Sequence, residues 1–129
     1  MKRSIQLSFA FCTFLVVAAG ISSCKSEDQI NYAEKILGRW DIREAKRNGD
    51  VTESLAGLYF EFQADGAMRT NLSATEETAA YEVRDNKILQ RQSQIEADYT
   101  IEEISDSTMI LTTTLRSYNF RFSLTKAGE

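Results

Sequence analysis

Tyr118-Asn119-Phe120-Arg121-Phe122-Ser123-Leu124-Thr125 is the stretch that decides the fold. Its apolar residues fall at every second position, so an extended chain puts Tyr118, Phe120, Phe122 and Leu124 on one face and Asn119, Arg121, Ser123 and Thr125 on the other. A helix would scatter these side chains around its circumference. A strand gathers them into one apolar face, and a face that large has to be covered by the rest of the domain.

The same period recurs upstream. Trp40 and Ile42 alternate with Arg39, Asp41 and Arg43, and Leu58, Phe60 and Phe62 alternate with Tyr59, Glu61 and Gln63. Asn48-Gly49-Asp50, Asp65-Gly66, Asp85-Asn86 and Asp106-Ser107 punctuate the chain with residues that tolerate positive φ or bond their own backbone, as hairpin turns require. Strands are therefore expected over 39–47, 58–63, 67–72, 78–84, 87–92, 97–104, 108–114 and 117–125, with 48–57 as the one long connection. Neighbours joined by short turns pair as a meander. Ile88-Leu89 and Glu102-Glu103-Ile104 interrupt the alternation, and either is a candidate for a bulge that bends its strand.

Eight short strands suit a sandwich or a barrel, and closure removes the exposed edges that a sandwich keeps. The expected fold is all-β: a small eight-stranded antiparallel up-and-down barrel, preceded by a short helix. That helix is read from the spacing of Ile30, Ala33, Ile36 and Leu37, and Gly38 ends it. The inward set is expected to be Trp40, Ile42, Leu58, Phe60, Phe62, Met68, Leu72, Tyr81, Val83, Tyr99, Ile101, Met109, Leu111, Tyr118, Phe120, Phe122 and Leu124. So much bulk favours an interior filled by side chains. No repeat or second-domain boundary is visible.

Ile36-Leu37-Gly38-Arg39-Trp40-Asp41-Ile42, followed by Asn48-Gly49 and by Tyr59-Phe60-Glu61-Phe62 with Asp65-Gly66, resembles a lipocalin-like domain over about residues 34–126. Members of that family open with glycine, one intervening residue and tryptophan on the first strand. The resemblance implies an up-and-down barrel that takes a small apolar or amphipathic ligand.

At the N-terminus, Lys2 and Arg3 precede the apolar stretch Phe9–Ile21, which at 13 residues is shorter than the ~20 a helix needs to cross a bilayer. It reads as the core of an export signal over residues 1–23. Ile21-Ser22-Ser23-Cys24 resembles the lipobox of bacterial lipoproteins. That resemblance implies cleavage before Cys24, a lipid thioether on its sulfur and acyl chains of the palmitate type holding the protein to a membrane. Several chains are needed for a lasting anchor, since one alone binds only marginally. Residues 24–33 are then the lipidated tether, and the run Lys25-Ser26-Glu27-Asp28 lifts the domain off the surface. Lysine rather than aspartate after the cysteine favours release to the outer membrane of a bacterial envelope, with the leaflet left open.

Cleavage there leaves 106 of the 129 residues and takes the net charge from −4 to −6, because Lys2 and Arg3 are lost. So acidic a chain is not expected to bind nucleic acid. Of the two cysteines, Cys12 lies in the segment to be removed, so no internal disulfide can form.

Little in the sequence points to catalysis. There is no histidine, hence neither the usual imidazole base nor the commonest metal ligand, and a lipidated Cys24 is no nucleophile or thiolate ligand. Glu76-Glu77 and Glu102-Glu103 are adjacent pairs, which point to opposite faces when they lie on a strand. No catalytic residue, metal or cofactor is expected. If there is a ligand, Trp40 and Glu44 near one opening, with Tyr81 or Tyr118 offering hydroxyls, are the candidate contacts. Glu44 keeps phase with Trp40 and Ile42, although a place at the strand end in water is the simpler account of it. The second expectation is an interaction or envelope-structural module that presents an outer face or the 48–57 loop to a protein partner the sequence does not name.

Overall fold

The computed structural model describes residues 30–128. The expected export signal, Cys24 and the charged run after it lie outside the described residues. The elements are a helix, α1 (Tyr32–Lys35), and nine strands: β1 (Gly38–Arg47), β2 (Asp50–Thr52), β3 (Tyr59–Phe62), β4 (Ala67–Thr70), β5 (Glu77–Arg84), β6 (Lys87–Arg91), β7 (Ala97–Ile104), β8 (Thr108–Leu115) and β9 (Tyr118–Lys126). All pairings are antiparallel. β1 pairs with β3, the meander runs on to β9, and β9 returns to β1. Eight strands thus close an up-and-down barrel, and β2 stands outside the count as an extra arm on β1.

β2 is the first departure from expectation, since 48–57 contains a strand where a loop was expected. Asn48 and Gly49 both have positive φ, 53° and 90°, the two-residue hairpin conformation that matches strand twist and that this dipeptide adopts at least cost. Residues 50–52 therefore fold back onto Ala45–Arg47. The Asn48 side-chain oxygen also accepts the Asn119 N–H at 2.9 Å, pinning the turn to β9.

Of the two candidate positions for a bulge, one carries it. The β7–β8 register shifts between Ile101 and Glu103, whereas β6 pairs without a shift through Ile88 and Leu89. The alternation on β6 is regular but disguised: Ile88 and Gln90 point inward, and the inward Gln90 is fully buried. A bulge that the sequence did not announce lies on β1, between Ile42 and Glu44 against β9. It reverses the phase, so Ala45 rather than Glu44 is buried beyond it.

Trp40, Leu58, Phe60, Phe62, Met68, Leu72, Tyr99, Ile101, Met109, Leu111, Phe122 and Leu124 form the core, as their alternation requires. Phe60 sits among Tyr99 (edge-on, 5.3 Å), Phe62 (6.2 Å) and Phe122 (6.0 Å between ring centroids). Ile42, Tyr81, Val83 and Phe120 are only partly buried, and Tyr118 is exposed. These residues keep the inward phase but lie where the wall is not covered from within.

One end of the barrel is sealed. α1 is a single turn capped by Asn31, whose side chain accepts the Glu34 N–H. It is the short helix expected there, and Ile36 leaves it to plug the barrel and is fully buried. The Trp40 indole N–H donates to the Ile36 carbonyl at 2.8 Å, and the Lys126 ammonium lies 4.7 Å from the ring centroid. Lys35 pairs with Asp106 at 2.9 Å, tying α1 to the β7–β8 turn. The glycine before the tryptophan has a physical reason: Gly38 has φ +112°, and a Cβ there would lie 2.9 Å from Lys126 Cε.

Gly38→Ala is expected to cost about 1–3 kcal/mol in urea unfolding, the usual price of a non-glycine residue held in a forbidden backbone region. Adding Lys126→Ala should recover less than half of the loss, because the side chain can move while the backbone strain stays. Full recovery in the double variant would show that contact, not conformation, selects glycine.

Candidate functional site

The end opposite Ile36 and Trp40 is open. It is ringed by the β2 arm with residues 53–57, the 71–76 and 92–96 connections, and the β8–β9 turn. A cup of about 500 Å3 lies there, lined by Leu55, Leu72, Ile95, Leu115, Tyr118, Phe120 and Phe122, with Gln94, Glu96, Thr114 and Arg116 among them. Its volume is within the range of small-molecule sites. The buried Phe122 and Leu72 lie at its floor, so the aromatic core confines it to the mouth.

Each lip is held by side chains. Under 92–96, the Tyr99 hydroxyl donates to Gln90 Oε1 at 2.7 Å, and Gln90 Nε2 donates to Ser93 Oγ (3.0 Å) and to the Ile95 carbonyl (2.9 Å). Burial pushes the Tyr99 hydroxyl pKa far above its usual value of 10, so it remains a donor. Glu77, inward and opposite Thr70, accepts the Gln94 N–H at 3.1 Å through Oε1. Its Oε2 is buried without a hydrogen-bond partner.

The 71–76 lip is clasped from outside. The Tyr59 hydroxyl donates to Glu76, which also pairs with Arg69 at 2.9 Å. The Arg39 guanidinium lies over the Tyr59 ring at 4.0 Å. The Tyr59 hydrogen bond first, and then the Arg69 charge, hold the Glu76 carboxyl below its ordinary 4.5. Burial and the neighbouring Glu76 raise the Tyr59 pKa.

The β8–β9 turn is built from Arg116 and Ser117 with φ of 51° and 74°. This is the hairpin geometry usually given to Asn-Gly, here occupied by two residues that pay steric strain for it. The turn places Arg116 on the cup. Tyr118 beneath it packs edge-on against Phe120 at 6.5 Å, with the Arg47 guanidinium 5.2 Å from the Tyr118 ring centroid. Neither Arg47 nor Arg116 takes part in the five ion pairs among the described residues.

The candidate contacts are not brought together. Tyr118 lines the cup. Trp40 is buried at the sealed end. Tyr81 lies toward that same end, its hydroxyl donating to the Gln63 carbonyl at 2.6 Å and its ring edge-on to Phe62 at 5.1 Å. Glu44 does not face the mouth: the bulge before it turns it outward, into a surface cleft of about 290 Å3 between β1 and residues 51–57 that shares only Leu55 with the cup. Leu55, Ile95, Leu115 and Arg116 were not among the sequence candidates. A single large apolar residue in a polar loop, as in Thr52-Glu53-Ser54-Leu55 and Ser93-Gln94-Ile95-Glu96, is the pattern that reveals such a lip, because nothing else in the loop explains it.

Among the described residues no group of three or more acidic, cysteine or histidine side chains is arranged to hold a metal. No protein-family model and no curated protein matches the chain. Two solved structures do. A lipocalin-like protein from Bacteroides uniformis ATCC 8492 is 13% identical, with a TM-score of 0.51 over 71% of this chain and 98% of that one. An uncharacterized protein from Bacteroides eggerthii DSM 20697 is 17% identical, with a TM-score of 0.51 over 70% and 98%. At such identities the likeness is one of architecture: the domain has the lipocalin-like fold, a sealed eight-stranded barrel with one open mouth.

The Glu76 clasp gives a pH dependence. Because its folded pKa is depressed, its stabilisation is complete above the ordinary carboxylate range and is lost as pH falls through the folded value. Urea midpoints measured between pH 6 and pH 2.5 should therefore fall less steeply for Glu76→Gln than for the unmodified protein. Parallel curves would mean that the clasp carries no linkage.

Proposed function

We propose that the domain is a non-enzymatic binding module that holds the apolar part of an amphipathic small molecule in the mouth cup, on a protein anchored to the bacterial envelope through lipidated Cys24. The observation that carries the binding reading is the cup itself: a cavity of about 500 Å3 lined by seven aliphatic or aromatic side chains and four polar ones. Apolar surface left open at a barrel mouth is stabilised by whatever covers it, at roughly 25 cal/mol per Å2. The filled interior restricts the ligand to the mouth, so its polar end stays near Arg116, Gln94 and Glu96.

Strain in the β8–β9 turn supports this. Asn-Gly would close the same hairpin more cheaply, and the residues present instead put a cation on the rim. An arginine there, unengaged in an ion pair, suits a ligand with an anionic end. The anchor rests on the Ile21-Ser22-Ser23-Cys24 pattern. Among the described residues no helix is long and apolar enough to cross a membrane.

Titration with 1-anilinonaphthalene-8-sulfonate, an apolar ring system bearing an anionic group, tests the site. The protein is expected to bind the dye saturably at one site. Leu115→Glu should weaken binding at least tenfold, a loss of about 1.4 kcal/mol. Replacing Arg116-Ser117 by Asn-Gly should raise the urea midpoint while weakening the dye. Absence of saturable binding, or equal affinity in all three proteins, would contradict the reading.

A further inference from the structure

Two turns at the mouth are fastened to each other. The Asn48 N–H donates to the Asn119 carbonyl at 2.7 Å, and the Asn119 N–H donates to the Asn48 side-chain oxygen at 2.9 Å. The β1–β2 hairpin, with Arg47 at the end of β1, therefore stands beside the β8–β9 turn that holds Arg116. Tyr118 is common to both: it follows Arg116 by two residues, and the Arg47 guanidinium lies 5.2 Å from its ring centroid.

The direction of Arg47 is not the one its nearest carboxylate would give it. Asp50 is directly opposite across the hairpin, an arrangement in which opposite charges ordinarily pair. Arg47 takes part in none of the ion pairs among the described residues. The β1 bulge puts it in the inward phase, opposite the cup residue Phe120, and its guanidinium goes to the Tyr118 ring. Glu96 is the one carboxylate lining the cup. It accepts the Gln92 N–H at 3.1 Å and ion-pairs with neither arginine.

We infer that Arg47 and Arg116 are the two arms of an anion subsite on the rim, and that Arg47, which is not part of the cup wall, lets the cup discriminate an amphiphile ending in an oxyanion from a neutral one with the same apolar body. The inference rests on the reading of the cup as the binding site. The chain carries a net charge of −4, which repels an anion at long range, so an anionic ligand needs local cations that no carboxylate of the protein has engaged. A guanidinium presents its N–H donors as a planar fork that matches an oxyanion. The aromatic ring that holds Arg47 competes for those donors only weakly, and a side chain already placed loses less freedom when the ligand arrives. At an exposed rim each arginine contributes a factor of about five at most in affinity. Both are needed for strong discrimination.

Two dyes separate the charge from the apolar body: 1-anilinonaphthalene-8-sulfonate, and N-phenyl-1-naphthylamine, which has the same rings without the sulfonate. Both are titrated into the unmodified protein and into Arg47→Gln, Arg47→Lys, Arg116→Gln and Arg84→Gln, with urea midpoints measured to verify that each variant is folded. Arg84 pairs with Glu82 and does not line the cup, so its variant controls for net charge. Arg47→Gln and Arg116→Gln are each expected to lower the ratio of anionic to neutral affinity by about threefold or more. Arg47→Lys, which keeps the charge, should retain more of that ratio than Arg47→Gln, and Arg84→Gln should retain nearly all of it. A ratio that survives Arg47→Gln, falls equally in Arg47→Lys, or falls as far in Arg84→Gln overturns the subsite. If the neutral dye still binds saturably in that case, the cup reading stands without it. If neither dye binds the unmodified protein saturably, the cup reading fails and the subsite fails with it.

Discussion

Everything in this domain depends on the seam between β1 and β9. Without that pairing the meander is an open sheet with two exposed edges and one apolar face in water. With it, Trp40, Ile42, Leu124, Phe122 and Ala45 meet across the join and the barrel has an inside. The seam runs nearly the full length of both strands, and the bulge after Ile42 gives it the bend that closure demands. The same bulge has a functional side effect. By reversing the phase of β1 it turns Glu44 outward, buries Ala45, and brings Arg47 into the inward phase, opposite Phe120, where its guanidinium reaches Tyr118.

Closure makes two ends, and the sequence treats them differently. At one end Ile36, the Trp40 indole and the Lys126 side chain form a plug, the indole N–H donating to the Ile36 carbonyl and the Lys126 ammonium lying over the ring. At the other, the connections are longer, a polar network from Tyr99 through Gln90 to Ser93 and Ile95 shapes one lip, and Glu76 clasps another from outside. Apolar side chains from these lips line a cup and do not fill it. Strain sits at the same end, in the Arg116-Ser117 turn. A closed base and an open mouth make the two ends of the barrel unlike.

Most of the fold was legible because it follows from period two and turn chemistry. The alternation on Tyr118–Thr125 and the Asp-Gly and Asn-Gly turns placed eight strands within two residues of their observed ends, and Gly38-Arg39-Trp40 marked the sealing strand. What stayed hidden was hidden for physical reasons. A bulge such as the one at Arg43 is set by a partner strand that local sequence does not reveal. Gln90 reads as an outward polar residue because its partners, Tyr99, Ser93 and Ile95, are brought to it only by the fold. The Arg116-Ser117 turn lacks the residues that announce its geometry. The cup was the least legible part, since its walls come from four separate connections, and of the four candidate contacts only Tyr118 lies in it.

The central claim is that one end of the barrel is a plug and the other a ligand cup, and methyl and indole NMR spectra recorded during titration with an amphiphile such as 1-anilinonaphthalene-8-sulfonate test it most directly. The account predicts that the methyl resonances of Leu55, Leu72, Ile95 and Leu115 shift together and saturably, while the Ile36 methyls and the N–H of Trp40, the chain's single tryptophan, stay fixed. Shifts centred on Ile36 and Trp40, or a saturating ligand that leaves the four mouth residues unmoved, would contradict it.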